Sequence, residues 1–349
     1  MSLGITLTGR ALSLFGVLIV VLFMLVVALG ATGFSDRILG AIVNEEMRGI
    51  REGLAQTIRN PDELEQVLNT QREEREKLYG LDKKWHQRLP DMLWRLMVLD
   101  LGEARTLRSF DGSPKVITIV LERLPYTMIL ITTASIITAV AGLAIGVKLA
   151  TNVGSKIDRI VSYMSAVSYA LPAWWTGILL ILIFAFQLRL LPAGGLHSTP
   201  PPEHTLMRLV DLIYHAILPI MTLVLVSLGA WTYTVRTMVL NTAQEFFITV
   251  ARAKGLSERK VTLKYILRVA APPLVTNLVL GLAASLGGSI LTETVFNWPG
   301  MGRLYYDAIL AADEAVIVAL TFIFALLYVT ARFVLEVLYL ILDPRIRYS

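Results

Sequence analysis

The sequence predicts an all-α integral membrane protein with about six transmembrane helices and a helical segment outside the bilayer. Three observations carry that prediction. Apolar residues make up 55% of the 349-residue chain and charged residues only 17%, against about 45–50% and about 25% in soluble domains; mean hydropathy is +0.63. The apolar excess is gathered into runs of about twenty residues, the length that crosses roughly 30 Å of hydrocarbon. Basic residues cluster beside those runs, so the net charge of +5 reads as membrane topology and not as a nucleic-acid footprint. The chain has no cysteine, which excludes disulfides and thiolate chemistry and leaves the redox compartment open.

The spans, in order, are 11–33, 126–150, 161–187, 212–234, 274–295 and 315–342. The first follows Arg10 and ends near small residues, as a secretory signal does, but its apolar stretch is about twice the roughly 7–15 residues of a signal core, so it is expected to be retained. Lys148, Lys156 and Arg159, the basic segment 236–273, and Arg345 and Arg347 of the tail all fall on the side of the N-terminus. That side is expected to be the cytoplasm. The expected organisation is the N-terminus and first helix (1–33), an extracytoplasmic helical segment (34–125), a five-helix core (126–342) with a cytoplasmic loop at 241–273, and a cytoplasmic tail (343–349).

The external segment has helical spacing through Ile38, Ile42, Met47, Ile50, Leu54 and Ile58. A second helix is expected from Asn60-Pro61, with Asp62, Glu63 and Glu65 in a first turn that suits the helix dipole. It reads as a solvated charged arm or as a docking element for an external partner.

The segment "NTAQEFFITVARAKGLSERKVTLKYILRVAAPPLVTN" (241–277) interrupts the apolar runs. Thr242 followed by Glu245 fits a capping box, and Phe247, Val250, Ala251 and Lys254 then repeat at helical spacing. Gly255 is placed to end the helix in the left-handed region, and Ser257 to cap the next. Lys260, Lys264 and Arg268 make a basic stripe beside Val261, Tyr265 and Val269, and Pro272-Pro273 is expected to stop this second helix. Such a pair suits either an anionic lipid surface or a groove in a soluble protein. The small residues Ala251, Ala253 and Gly255 permit the close backbone approach that a lipid-lying helix has no need of.

These residues resemble a known pattern. "EFFITVARAKGLSERKVTLKYILRVAAPPLVT" is similar to the ATPase-docking loop, the EAA loop, of binding-protein-dependent ABC importer permeases, and "ARAKGL" to its form in the dipeptide/oligopeptide/nickel branch. "LDKKWHQRLPDMLWRLMVLDLGEA", "LTETVFNWPGMGRLYYDAI" and "DPRIRYS" resemble further stretches of the B-type subunit of that branch, so the likeness runs from about residue 81 to the end. Two departures stand out: "GATGFSDRILG" replaces the short Pro-Gly-Asp-Pro turn after the first span, and 44–79 lengthens the outer loop. Both bear on the external partner and the substrate.

The resemblance implies a type I ABC importer permease fold and a chain that forms half of a path. The partners would be a second homologous permease subunit, two ATPase subunits that carry the ATP and Mg, an extracytoplasmic solute-binding protein and the lipid bilayer. No cofactor is implied on this chain. Glu245, Ala251, Arg252, Ala253, Lys254 and Gly255 would form the ATPase contact, with Gly255 as its turn. Di- or oligopeptides are the implied cargo, with oligosaccharides or nickel complexes as the alternatives. Consistently, G-x-x-x-x-G-K-[ST] occurs nowhere in the chain, so ATP hydrolysis by that route falls to another subunit.

Candidate path residues are Tyr169, Pro172, Trp174 and Trp175 of "SYALPAWWTG" and the acid Glu293. The aromatics also suit an interfacial belt, and the acid a solvated membrane edge. Arg332 and Glu336, spaced i, i+4, are expected to pair. His197, His204 and His215 lack metal-ligand spacing, so no metal site is expected, and "SERK" (257–260) matches a nucleophile motif by letters alone. A stand-alone secondary transporter would need internal repeats and intramembrane ionisable relays; an intramembrane enzyme would need a nucleophile–base set. Neither is evident.

Overall fold

The computed structural model describes residues 3–31, 33–286 and 290–342. The tail "DPRIRYS" lies outside them. Among the described residues helices are joined by turns and loops, and the one β feature is an isolated bridge, Glu103 to Lys115. Contacts divide it into two units.

The first unit holds Val120–Asp307, the chain up to Leu14 and the chain from Ile323 onward. Its helices are α5 (Val116–Thr151), α6 (Lys156–Ala170), α7 (Ala173–Leu180, continued by a π-turn at Ile181–Gln187), α8 (Thr205–Ala243), α9 (Phe246–Ala253), α10 (Glu258–Val261, followed by a π-turn at Thr262–Ile266), α11 (Leu267–Leu286), α12 (Ile290–Val295), α13 (Met301–Leu310) and most of α14 (Glu314–Leu342). The second unit holds Phe15–Ile119 and Ala308–Phe322, with most of α1 (Leu3–Ala31), then α2 (Phe34–Ala55), α3 (Pro61–Leu78) and α4 (Trp85–Met97).

Five helices are long and apolar enough to span, and a sixth span exists if α6 and α7 are taken together. That pair is where the expected span 161–187 changes character: it is two helices bent by 102°. Proline is the cause. Pro172 pushes Leu171 to an extended conformation (ψ 124°) and starts α7 from its own N-cap position, as pre-proline sterics require.

A second expectation is corrected at Pro272-Pro273, which lie inside α11 and do not stop it. Prolines survive in membrane helices when side chains and local π adjustments satisfy the freed backbone groups. Here a π-turn precedes them, at Thr262–Ile266; past them, Thr276 Oγ1 and Asn277 Nδ2 donate to the Pro272 and Pro273 carbonyls at 2.7 and 2.9 Å, side-chain bonds added within the helix.

In the second unit the expected helix start at Asn60-Pro61 is present: Asn60 Oδ1 accepts the Asp62 amide at 3.1 Å. Ile42, Met47, Ile50, Leu54 and Ile58 are half-buried, and Leu39 and Val43 are buried beside them; the Ile38 side chain lies outside the described ones. Glu46 ties α2 to the end of α3 by accepting from Tyr79 Oη at 2.5 Å and pairing with Arg75 at 3.3 Å. Fully buried Asp313 gathers the 105–107 turn, because its Oδ2 accepts the amides of Arg105, Thr106 and Leu107 at 2.7, 2.9 and 3.4 Å.

Candidate functional site

The loop after α8 folds as two short helices about a glycine. α8 runs to Ala243, so Thr242 stays inside it and its hydroxyl donates to the Met238 carbonyl at 2.9 Å. Glu245 takes the cap position of α9 with an extended backbone and no side-chain cap bond. The expected capping box is therefore absent: the hydroxyl that would have capped is used by the preceding helix. Ser257 occupies the cap of α10 by its backbone alone.

Gly255 is where the spacing put it. Its φ is +74°; the Leu256 amide reaches the Ala251 carbonyl at 3.4 Å and the Gly255 amide the Arg252 carbonyl at 2.9 Å. Those two bonds are the Schellman closure, which satisfies the last carbonyls of α9. Arg252, at the end of α9, holds Glu258, at the start of α10, through Nε at 2.9 Å and Nη2 at 3.2 Å. A forked guanidinium–carboxylate pair fixes an angle as well as a distance.

The buried face differs from the one read by spacing. Ile248 and Ala251, not Phe247, face inward and pack with Ala150 of α5 and with Val235 and Val239 of α8. On the second helix the buried residues are Val261, Thr262, Ile266 and Ala270, while Tyr265 and Val269 are exposed. The π-turn at Thr262–Ile266 explains the shift, since it holds an extra residue per turn and moves each later side chain round the axis.

What remains outside is specific. Phe246 is 80% exposed and Phe247 40%; Glu245, Arg252, Ala253, Lys254 and Gly255 are exposed as well, together with the basic Lys260, Lys264 and Arg268. Ala251, expected at the same surface, is turned inward, and its small side chain lets α9 approach its own chain. Phe246 carries the largest apolar surface of the loop's outer face. Its signal in the sequence was the doubled Phe, of which spacing selected the wrong member.

Tyr169, Pro172, Trp174 and Trp175 all lie at the α6–α7 break and are exposed, Tyr169 most of all at 77%. The structure brings these four together at one bend.

Glu293 does not join them. It is fully buried, and as a path residue or a solvated edge acid it is corrected. Its Oε1 accepts the Thr127 hydroxyl at 2.9 Å and its Oε2 the Arg303 amide at 3.0 Å, near the start of α13. Thr127 Oγ1 in turn accepts the Met301 amide at 2.7 Å. The carboxylate thus satisfies helix-terminal amides in place of water. Around it Trp298 Nε1 donates to the Tyr126 carbonyl at 3.1 Å, and Gly195 donates to the Phe296 carbonyl at 2.8 Å. A methyl group at Gly300 would overlap both the Glu293 carboxylate and Thr127 Oγ1.

One smaller expectation changes. Glu336 lies 3.9 Å from Arg10, a different pairing from the i, i+4 one read in the sequence. His197 and His215 both approach Asp211, which also accepts the Ser198 amide and hydroxyl at 2.8 Å and so closes the loop before α8. No group of three potential metal ligands occurs among the described residues.

Comparison with known proteins gives the following. Residues 139–348 match the family model of the binding-protein-dependent transport system inner membrane component. The oligopeptide transport system permease protein AppB of Bacillus subtilis (strain 168) is 32% identical over 282 residues, covering 81% of this chain and 87% of that protein. The di/tripeptide transport system permease protein DppB of Pseudomonas aeruginosa (strain UCBPP-PA14) is 32% identical over 284 residues, covering 77% and 83%. A solved structure of the MetNI methionine ABC transporter, inward-facing, superposes with a TM-score of 0.52 at 17% identity, covering 65% of this chain and 97% of that one. The last supports the type I permease fold alone.

Proposed function

The chain belongs to the binding-protein-dependent transport system inner membrane component family, and from that membership we propose that its 241–273 loop is the seat of a separate ATPase that drives peptide import. The chain itself is the membrane-embedded permease subunit of an ABC importer, and not an enzyme.

The observation that carries the reading is the two-sided build of the loop. Ile248, Ala251, Val261 and Ile266 anchor it to the ends of α5 and α8, while Phe246, Phe247 and the Arg252–Glu258 clasp face outward. A lipid-lying helix would bury its aromatics on the same side as its other apolar residues. Here Phe246 stands on the opposite side of α9 from Ile248 and is the more exposed of the two phenylalanines, as an anchor for a protein groove does. Glu245, Arg252, Ala253, Lys254 and Gly255 complete that contact, with Ala251 acting from inside.

Two ATPases closing around ATP and Mg would then move the loop as a rigid body, and the spans attached to it would rock between inward-open and outward-open arrangements. A second homologous permease supplies the other half of the path, with Tyr169, Pro172, Trp174 and Trp175 on this chain's share of it. An extracytoplasmic solute-binding protein delivers the cargo, and the termini are cytoplasmic, in keeping with the basic residues on their side. Peptides are the proposed solute because AppB and DppB are permeases of oligopeptide and di/tripeptide systems.

The test is co-purification from mild detergent with genomic neighbours, followed by uptake in proteoliposomes of dipeptides, longer peptides, oligosaccharides and nickel complexes. Recovery of a second permease with two ATPase chains, and ATP-dependent peptide uptake, is expected. Recovery of the chain alone with ion-driven transport would overturn the proposal, and uptake of sugars or nickel in place of peptides would overturn its substrate half.

A further inference from the structure

One charged pair away from the loop has the geometry of a mechanical joint. Arg236 on α8 donates through Nε to Asp158 Oδ1 at 2.6 Å and through Nη2 to Oδ2 at 2.8 Å. The side chains are 16% and 6% exposed. The Gly154 amide adds a bond to Oδ2 at 2.9 Å, and Ser155 Oγ accepts the Asp158 amide at 3.1 Å. The carboxylate thus accepts three bonds, one on Oδ1 and two on Oδ2, and the acid stands in the first turn of α6, where the helix dipole favours it.

Such a pair is a poor way to gain stability alone, because the desolvation of both charges offsets most of their attraction and an apolar pair would hold two helices as well. What a forked ion pair adds is a single permitted register. The neighbours show why register matters here. Val235 and Val239, on the same stretch of α8, belong to the apolar cluster that anchors Ile248, Ala251, Val261 and Ile266 of the loop. This stretch of α8 therefore grips the loop through its valines and α6 through Arg236.

Farther along, α6 is held to α8 twice more. A Cβ at Gly229 would lie 2.7 Å from Ser165 Cα, so the two helices touch backbone to backbone. Ser168 Oγ donates to the Leu225 and Val226 carbonyls at 2.5 and 3.0 Å. α6 then ends at Ala170, directly before the break that carries the exposed aromatics.

We infer that Asp158 and Arg236 are positioning residues of the transport cycle, locking α6 to the loop-bearing end of α8 so that displacement of the loop is delivered to the α6–α7 break. This rests on the reading of the loop as an ATPase seat. The physical content is a contiguous, rigid chain of contacts, loop to Val235 and Val239, Arg236 to Asp158, and α6 to Pro172; contiguity needs a coupling measurement to become a mechanism.

The experiment uses the full complex in proteoliposomes, with Asp158→Asn, Arg236→Gln and the exchange Asp158→Arg/Arg236→Asp. ATP hydrolysis, uptake and recovery of the ATPase subunits are read side by side. The single variants are expected to retain the ATPase subunits and to hydrolyse ATP, but to import roughly tenfold less solute per ATP; the exchange should recover much of the loss. A purely structural role would lower hydrolysis and uptake together and leave their ratio unchanged.

A second measurement needs no pair variant. The chain has no cysteine, so cysteines introduced at the exposed positions Tyr163 and Arg259 are its own labelling sites, and with cysteine-free partner subunits their spin labels report the α6–loop distance. That distance is expected to be the same in the nucleotide-free and vanadate-trapped complex. Unaltered uptake per ATP in Asp158→Asn, or a changing label distance in the otherwise unaltered chain, overturns the inference. Failure of the unaltered chain to retain ATPase subunits overturns the parent reading and the inference with it.

Discussion

The loop after α8 and the loop before α13 both turn on a glycine, and they use it in opposite ways. Gly255 has φ +74° and open space around it. It is chosen for backbone conformation, and the turn it makes stands clear. Gly300 is chosen for size, because nothing larger fits beside Glu293 and Thr127. The polar groups divide the same way. The loop before α13 encloses its acid completely, whereas the loop after α8 leaves Arg252 and Glu258 clasped in view of solvent. One loop is finished within its own chain, and the other leaves Phe246 and the Arg252–Glu258 clasp exposed, as the proposed ATPase seat requires.

That contrast breaks or sharpens under substitution. The largest effect on the chain's own stability is expected at Gly300→Ala, where overpacking adds to the loss of the Glu293 and Thr127 bonds, on the order of 3 kcal/mol or more. Thermal unfolding in detergent should show it, and a normal melting temperature would mean the loop before α13 is not closed as described. Thr127→Val comes next at about 1–3 kcal/mol, because it leaves the Met301 amide and one Glu293 oxygen unpaired.

Gly255→Ala should cost about 1–2 kcal/mol in the turn after α9 by forcing a side chain into the left-handed region. Gly255→Pro is harsher locally, since it removes the amide bonded to Arg252 and the positive φ together; uptake should vanish while the protein still inserts in the membrane. Wild-type transport by that variant would refute the loop's role. The smallest effect on stability belongs to Phe246→Ala, within about 0.5 kcal/mol for so exposed a side chain. Its binding effect should be the reverse, with retention of the ATPase subunits lowered roughly tenfold or more as for a buried interface aromatic. Equal retention would move the docking face elsewhere on the loop.

Legibility in the sequence followed range. The apolar runs, the Asn60-Pro61 start, the glycine closure at 255 and the family likeness were all readable, because each is a local pattern of composition or spacing. The inward face of the loop was misread by one step. A π-turn at Thr262–Ile266 has no composition signal of its own, and a spacing argument assumes a constant period. Glu293 was read as exposed because an acid at a span end normally seeks water; its partners, Thr127 and the amides at the start of α13, come from another helix and a later loop. Arg236 was legible only as the start of a basic segment, with nothing local to pair it with Asp158, 78 residues away along the chain.

The sequence by itself determined that this chain is an all-α membrane protein, where its apolar runs and basic clusters lie and which loop resembles an ATPase seat. Hydropathy, charge placement and helix punctuation are properties of neighbours along the chain, and they survive without a fold. The tertiary structure alone decided that Glu293 is sealed inside, that α6 and α7 meet at 102° and that Arg236 is forked onto Asp158, 78 residues away along the chain. A buried charge is tolerable only where a partner arrives at hydrogen-bond distance, and only the packing of distant segments supplies that partner.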